Sequence, residues 1–378
     1  MNPLNSSTSS SDEARERKRG WALAGWTIVW LVILDFAAGI LFAYPRDPKN
    51  LSPNPLALYF DYGRSMEGRL RRGTRADPAA TAPITLAGWY KPQLAIDRPA
   101  KPGAAQVTIY GMSHAVRLAD ALQAVSPGYQ VRSIGAPGAT MNWSYGAFLR
   151  DAKRRESKVA VLAIMSSTLP MIVSPTAMDW NTSFAMPYTA DRFVVAPDGL
   201  RRIKPPYETF AGYIEALNNP ERWRRTRTQF ARTDPFYDAF LVKETWLDHS
   251  TLVRLTRRAW SQRRDHTRRA EVYTADGALM DSEPVRVANA IISDFAKRAR
   301  AEGIFPVIYV VDSFGFGTKL TRALQDTLRR EDIAFISTSA LVSPDDARGY
   351  LPDSHFTDAN DRRLAERLAA ILDAKLTQ

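Results

Sequence analysis

The residue pattern best suited to chemistry lies near the end of the chain, where Asp353 stands two residues before His355. The segment Gly-Tyr-Leu-Pro-Asp-Ser-His is predicted to be a loop leading into an amphipathic helix. A carboxylate beside an imidazole fixes the tautomer of the ring and stabilises its protonated form, as a general base requires. Histidine is scarce here, with four in 378 residues. The pair predicts a catalytic base, although an ordinary surface loop fits the same pattern.

A candidate nucleophile stands much earlier, in Gly111-Met112-Ser113. A β-rich run ends at Gly111 and a helix is predicted to follow, so the Ser113 hydroxyl should emerge at the carboxyl edge of a sheet. Backbone N–H groups of a helix start would surround it there. A helix N-cap is the alternative role for this serine. His114 is a poor candidate base, because adjacent side chains usually point in different directions.

A glycine block, Gly135-Ala-Pro-Gly138, ends the next predicted strand. Gly138 could present its backbone N–H to an oxyanion without obstruction from a side chain. A tight turn alone would also explain the two glycines.

Alternating strands and helices must position these residues. Strands are predicted over 106–110, 129–134, 158–164, 305–311 and 333–337, and helices over 114–126, 143–155, 284–302, 318–330 and 358–375. This alternation predicts an α/β fold with a doubly wound sheet of five parallel strands. The run 158–164 is apolar enough to be a central strand.

Residues 166–283 interrupt this rhythm and are predicted to be an insertion after the third strand. They contain a predicted hairpin over 192–203, with a tight turn at Asp198-Gly199, and helical stretches dense in arginine. The insertion leaves from the carboxyl edge of the sheet, where ligands bind in open α/β folds, so it could act as a lid. The arginines could equally keep a long helical face solvated.

The amino-terminal part predicts a membrane anchor. Residues 1–20 read as a cytoplasmic tail, disordered over 1–12, and 21–44 are long and apolar enough to span a bilayer. Basic residues cluster before this span, which predicts an inside amino terminus and a periplasmic or other extracytoplasmic domain. Removal as a signal peptide is the alternative. Residues 45–104 are predicted to be a juxtamembrane linker with a short basic helix, held by anionic headgroups or simply solvated.

Asp35 lies inside the predicted span, where an ionised carboxylate is costly. It could contact a membrane partner, or sit toward the outer half and be protonated or hydrated. Asp312, at the end of the fourth predicted strand, could line the cleft or cap a helix.

Composition narrows the functional classes. The chain has no cysteine, which excludes disulfides and thiolate nucleophiles, and it carries a net charge of +11. That charge indicates an anionic neighbour, but the predicted topology argues against a nucleic-acid-binding protein. His249 and His266 lack a ligand at metal-binding spacing. The sequence therefore predicts no metal and no cofactor.

In their order along the chain, these blocks resemble those of the SGNH (GDSL-like) hydrolases. The matching segments are Gly111-Met112-Ser113, Ile134 to Thr140, and Leu351 to Asn360. The resemblance implies a flavodoxin-like sheet with Ser113 as nucleophile, His355 as general base and Asp353 as its orienting acid. It also implies oxyanion donors from the backbone of Ser113 and Gly138. The membrane-anchored, extracytoplasmic branch related to polysaccharide O-acetylation and deacetylation proteins fits the predicted topology.

Two positions depart from the family pattern. Met112 replaces the usual aspartate before the nucleophile, and Ser166-Ser167-Thr168 stands where the family has Gly-x-Asn-Asp. Losing the asparagine removes an oxyanion donor, which can cost roughly 2.7–4 kcal/mol of barrier. Ser167 or Asn142 could replace it.

Three functions follow as expectations. The first is an esterase that removes acyl groups, acetyl above all, from a cell-envelope glycan or lipid. The second is an acyltransferase to exopolysaccharide that works with a membrane O-acyltransferase partner. The third is a non-catalytic glycan-binding protein that keeps the fold.

Overall fold

The computed structural model describes residues 9–41, 63–74, 95–99, 102–176 and 190–376. Of the predicted linker over 45–104, residues 45–62, 75–94, 100 and 101 lie outside these ranges. The strands are β1 (Ala95–Asp97), β2 (Ala105–Gly111), β3 (Tyr129–Gly135), β4 (Val159–Met165), β5 (Arg192–Ala196), β6 (Gly199–Ile203), β7 (Phe305–Val311) and β8 (Ala334–Ser337).

The helices alternate with these strands and fill the insertion. They are α1 (Ser9–Leu41), α2 (Met66–Thr74), α3 (Ser113–Val125), α4 (Met141–Arg150), α5 (Phe210–Asn218), α6 (Pro220–Thr233), α7 (Ala239–Val242), α8 (Thr251–Ala270), α9 (Glu283–Ala301), α10 (Lys319–Arg330) and α11 (Asp358–Leu376). Short 3₁₀ turns include Ser166–Val173, directly after β4, and Trp246–His249, just before α8.

The main sheet has six strands in the order β1-β3-β2-β4-β7-β8. Five of them are parallel, and by position along the chain their order is 2-1-3-4-5, the flavodoxin-like arrangement. The chain runs from β2 to β3 on one side and then crosses to β4 on the other. This reversal opens a crevice at the carboxyl ends of β2 and β4, where open α/β sheets bind their ligands.

The prediction of a five-stranded sheet is wrong by one strand. β1 pairs antiparallel with β3 at the edge, within the segment predicted to be a linker. It has only three residues, too few to show a strand periodicity, and two of them are exposed. Arg98 fixes its end by donating to Asp120 and to the Ser133 hydroxyl.

The sheet is buried on both faces. All seven residues of β4 are buried, as expected for a central parallel strand. α3 packs against α11, and α4 packs against α9, so helices cover the sheet as a doubly wound fold requires.

Gly111, the last residue of β2, is a point of close packing two residues before Ser113. A β-carbon there would lie 2.6 Å from the Cβ atoms of both Ala115 and Ala163. We expect Gly111→Ala to lower the free energy of unfolding by about 1–3 kcal/mol through overpacking, measured by urea denaturation of the protein in detergent. Gly128→Ala is the control, because nothing lies within 4 Å of the added carbon. Equal stabilities of the two variants would contradict this account.

The insertion builds a second hydrophobic core and brings α2 into it. Its buried residues are Met66, Leu70, Tyr213, Leu217, Trp223, Phe230 and Val242. Two arginines of this segment are engaged by the protein: Arg71 pairs with Glu67 and Glu244, and Arg64, just before α2, donates to a carbonyl of the insertion. α2 is therefore part of the folded insertion. The predicted hairpin is present, but its two-residue turn is Pro197-Asp198, one position earlier than predicted, and Gly199, at φ +123°, is the first residue of β6.

Two of the α8 arginines hold the insertion together, whereas Arg263 is exposed. Arg257 is buried, pairs with Asp248 and donates to the carbonyls of Phe240 and Gly63. Arg264 pairs with Asp238.

α1 is long and apolar enough to cross a membrane over Glu13–Ile40, and an 18-residue stretch within it has a mean hydropathy of 1.9. It begins at Ser9, inside the segment predicted to be a disordered tail. Its apolar side chains, including Trp26, Ile33 and Phe36, are exposed. Residues 42–44, the predicted end of the span, lie outside the described residues.

Candidate active site

Ser113 is the first residue of α3 and follows β2 after the single residue Met112. β2 is flanked by β3 and β4, so the loop that carries Gly138 lies on one side of Ser113 and the turn that carries Ser167 lies on the other. The strand order therefore brings Ser113, the glycine block and the turn that carries Ser167 together at the carboxyl edge of the sheet.

The nucleophile, base and acid of the predicted triad are joined by hydrogen bonds. The Ser113 Oγ lies 2.7 Å from His355 Nε2, and His355 Nδ1 lies 2.9 Å from Asp353 Oδ2. With its proton on Nδ1, the neutral ring donates to Asp353 and leaves Nε2 to accept the serine hydroxyl. Ser113 and His355, 242 positions apart, thus meet in the geometry that the predicted nucleophile and base require.

The loop that carries the base is a tight turn. The Leu351 N–H donates a hydrogen bond of 2.7 Å to the His355 carbonyl, and Ser354 has a left-handed φ of +69°. The Asp353 carboxylate also accepts the backbone N–H of His355. The hydrogen bonds from the ring and the backbone of His355 lower the pKa of Asp353, which keeps it ionised.

His114 holds this turn from the nucleophile helix. Its Nε2–H donates to the Ser354 carbonyl at 3.2 Å, and its ring lies 4.8 Å from that of His355, centroid to centroid. Burial and the nearby His355 lower the pKa of His114 to about 4. His114 is therefore a neutral donor that fixes the loop. Its position next to Ser113 in the sequence does not reveal this role.

Arg117, one turn further along α3, is a second tie to the same loop. Its guanidinium donates to the Phe356 carbonyl and to the carboxylates of Asp358 and Asp361. Ser113, His114 and Arg117 all stand on α3, so this helix sets the position of His355 relative to Ser113. An arginine four residues after the serine is too common a spacing to reveal such a role from sequence.

The glycine block has the geometry of a turn. Gly138 adopts φ +62°, a conformation that favours glycine, and Ala139 donates to the carbonyl of Ala136. The Ala136 N–H in turn bonds to the carbonyl of Gly111, which ties the block to the end of β2. The oxyanion role of the Gly138 and Ser113 N–H groups stays a prediction.

The two candidate replacements for the family asparagine have different surroundings. The Asn142 amide is fully buried and donates to the carbonyls of Ser174 and Asp191, so both its N–H groups have partners inside the protein. The Ser167 hydroxyl accepts from Ser313 at 3.4 Å and retains its own proton as a donor. Of the two, Ser167 keeps the capacity to assist an oxyanion.

The far end of the insertion lies against this edge. Arg269 donates to the Ser167 carbonyl, and the Tyr273 hydroxyl donates to the Ser166 carbonyl at 2.6 Å. Asp312 is fully buried and accepts from Thr321, in the first turn of α10, and from Ser337. Asp312 thus caps a helix, the second of its two predicted roles.

We expect His114 to make stability depend on pH. Because its folded pKa of about 4 lies below the ordinary 6.5, the unfolded chain takes up a proton between these values while the folded chain does not. The contribution of His114 to the free energy of unfolding is therefore complete above pH 6.5. It falls by on the order of 3 kcal/mol as the pH drops to 4. Unfolding free energies across this range should show a flatter slope for His114→Gln than for the wild type. The exposed His266→Gln is the control, and an unchanged slope in His114→Gln would contradict the assignment.

Comparisons with known proteins add little to this geometry. No family model and no curated protein match the chain. Among solved structures, an acetyl xylan esterase from the rumen bacterium Butyrivibrio proteoclasticus aligns with 9% identity and a TM-score of 0.28. The alignment covers 74% of this chain and 66% of that chain, a little under two thirds of its length. A likeness at this level carries no conclusion about activity, which rests on the residues of the site.

Proposed function

We propose that this protein is a membrane-anchored serine esterase that removes acyl groups, acetyl above all, from a glycan or lipid of the cell envelope. One observation carries the proposal: the hydrogen-bonded series from Ser113 through His355 to Asp353, at 2.7 and 2.9 Å. A helix N-cap role for Ser113 would need neither a histidine at hydrogen-bonding distance nor an orienting carboxylate behind it.

The chemistry follows from the proton positions. Ser113 Oγ attacks the ester carbonyl while His355 Nε2 takes its proton, and Asp353 stabilises the imidazolium that forms. The tetrahedral intermediate collapses, the alcohol leaves with the proton from His355, and the acyl group remains on Ser113. Water then attacks the acyl-enzyme with His355 as base, which releases the carboxylic acid and restores the serine.

The block order supports an SGNH-type site, and the departure from the family limits its speed. Ser167 replaces the asparagine donor, and a longer hydroxyl contact with the oxyanion would stabilise the transition state less. We propose oxyanion donation from the backbone of Ser113 and Gly138, with Ser167 assisting.

The anchor places this chemistry outside the cytoplasm in our proposal. Arg15, Arg17, Lys18 and Arg19 precede the apolar span, whereas Arg46 and Lys49 follow it, a bias that favours an inside amino terminus. The catalytic domain would then face the cell envelope, where acylated glycans and lipids are the available substrates.

Transfer to a glycan hydroxyl instead of water is the competing function. It uses the same acyl-enzyme, and a weak oxyanion hole does not distinguish the two. A membrane O-acyltransferase partner would supply acyl groups in that case. Asp35 in the apolar span does not require such a partner, because its carboxylate accepts hydrogen bonds within this chain, from Ser250 and Leu252.

The deciding experiment uses the full chain in detergent micelles. A fluorophosphonate probe should label Ser113, identified by peptide mass spectrometry, and prior labelling should stop release of p-nitrophenol from p-nitrophenyl acetate. Adding an oligosaccharide then separates the two activities: acetate as the main product favours the esterase, and acetylated oligosaccharide favours the transferase. Absence of both labelling and turnover would leave the non-catalytic glycan-binding protein.

A further inference from the structure

The side chain of Asp35 joins the apolar helix α1 to the insertion. Its Oδ1 accepts the Leu252 N–H at 2.8 Å and the Ser250 hydroxyl at 3.0 Å. Ser250 is also the N-cap of α8 and accepts the Val253 N–H. A carboxylate at a helix N-terminus meets both its unpaired N–H groups and the positive end of its dipole. Asp35 therefore fixes the start of α8 against α1.

Small residues beside Asp35 allow this approach. Within residues 31–40, the positions that are partly buried are Asp35, Ala38 and Gly39, spaced to share one face of the helix. A β-carbon on Gly39 would lie 3.6 Å from the Thr251 hydroxyl. The remaining side chains of this stretch are exposed and apolar, as lipid contact requires.

Helix geometry then gives the depth of the contact. From Trp21 to Asp35 is about 21 Å at 1.5 Å per residue, and from Trp21 to Leu41 is about 30 Å, the thickness of a hydrocarbon core. Asp35 thus belongs to the outer part of the span, within roughly 9 Å of the boundary. The 3₁₀ turn Trp246–His249 directly precedes Ser250 and rises about 2 Å per residue, so Trp246 lies within about 8 Å of the level of Ser250, a span that can reach the headgroup region.

The exposed residues at that level have the chemistry of a membrane interface. Trp246 is 80% exposed, and Lys243 and His249 on either side of it are also exposed. Tryptophan prefers the headgroup region, and a lysine there attracts lipid phosphate. We call Lys243, Trp246 and His249 the Trp246 surface.

We propose that the Trp246 surface lies in the outer headgroup region of the bilayer that α1 spans, held there by the bond between Asp35 and the start of α8. This inference rests on the membrane anchoring proposed above. Lipid is the occupant because the helix that carries Asp35 exposes apolar side chains that only a bilayer would cover. α8 then connects the membrane to the site, since Arg269 near its other end bonds to Ser167, about 26 Å along the helix from Leu252.

The absence of cysteine from the chain makes the test direct. A nitroxide is attached to His249→Cys in the full chain, reconstituted alone into vesicles of phosphatidylethanolamine and phosphatidylglycerol. Spin relaxation by oxygen, which concentrates in lipid, is compared with relaxation by a water-soluble nickel complex. We expect the ratio of oxygen to nickel relaxation at His249→Cys to be several-fold higher than at the control Glu366→Cys, an exposed site on α11 that lies in water.

A second variant tests the bond itself. Asp35→Leu keeps α1 apolar, so the protein should remain in the membrane after alkaline extraction and keep its fluorophosphonate labelling. The His249→Cys label should then become accessible to nickel. A label accessible to nickel in the wild-type background, or protected from both reagents, would overturn the proposal while leaving the anchor and the enzyme intact. Loss of the protein on alkaline extraction would overturn the anchor and this inference together, but not the Ser113 chemistry.

Discussion

Ser113→Ala is expected to lower kcat/KM for p-nitrophenyl acetate by at least about 10³-fold, because no acyl-enzyme can form without the hydroxyl. The His355→Ala variant should lose a similar factor, since the serine is a poor nucleophile unless Nε2 takes its proton. The double variant should be no slower than either single one. Residues that act as a unit are non-additive in this way.

The control for this prediction is Ser343→Ala, a serine that is exposed near the carboxyl edge and lies outside the hydrogen-bonded series. It should keep wild-type rates and wild-type stability. If Ser113→Ala retains the wild-type rate while folded, the serine mechanism is wrong. If the fold-losses in kcat/KM of Ser113→Ala and His355→Ala instead multiply in the double variant, the two residues do not act in the same step.

The parallel sheet could be predicted because its signals are local. β4 is an uninterrupted apolar run and α9 has a regular amphipathic pattern, so type and approximate bounds follow from neighbours in sequence. The positions of Ser113 and His355 at strand or loop ends were also visible. Placing them together took the block order of a family, because periodicity gives no strand order.

The edge strand and the ties of the site could not be predicted because they depend on tertiary contacts. β1 is held by pairing with β3 and by Arg98, not by its own three residues. His114 contacts Ser354 across 240 positions, and the sequence rule that adjacent side chains diverge says nothing about what each one meets. The partners of Asp35, Ser250 and Leu252, likewise depend on the packing of α8 beside α1, which local sequence does not reveal.

The acid of this site differs from a buried triad aspartate in its exposure to water. The Asp353 side chain is 65% exposed, whereas the His355 side chain is 23% exposed. Solvent screens the attraction between the carboxylate and a developing imidazolium. The hydrogen bond between Asp353 and His355 Nδ1 is also maintained by the loop that carries both residues, because His114 and Arg117 fix that loop. We therefore expect Asp353 to contribute less than a buried triad aspartate does.

Asp353→Asn is accordingly expected to lower kcat by roughly 10²–10³-fold, less than the ~10⁴ that a buried triad loses. The amide can hold His355 by donating to Nδ1, which puts the ring proton on Nε2 and leaves no acceptor for Ser113. Initial rates from pH 5 to 9 should show this loss throughout, since the lowered pKa of Asp353 keeps the wild-type carboxylate ionised over that range. Asp345→Asn, an exposed carboxylate in the same part of the chain, should leave the rate unchanged. A wild-type rate in Asp353→Asn would show that His355 is oriented by its loop alone, and a loss of about 10⁴-fold, as in a buried triad, would show that water does not weaken the pair.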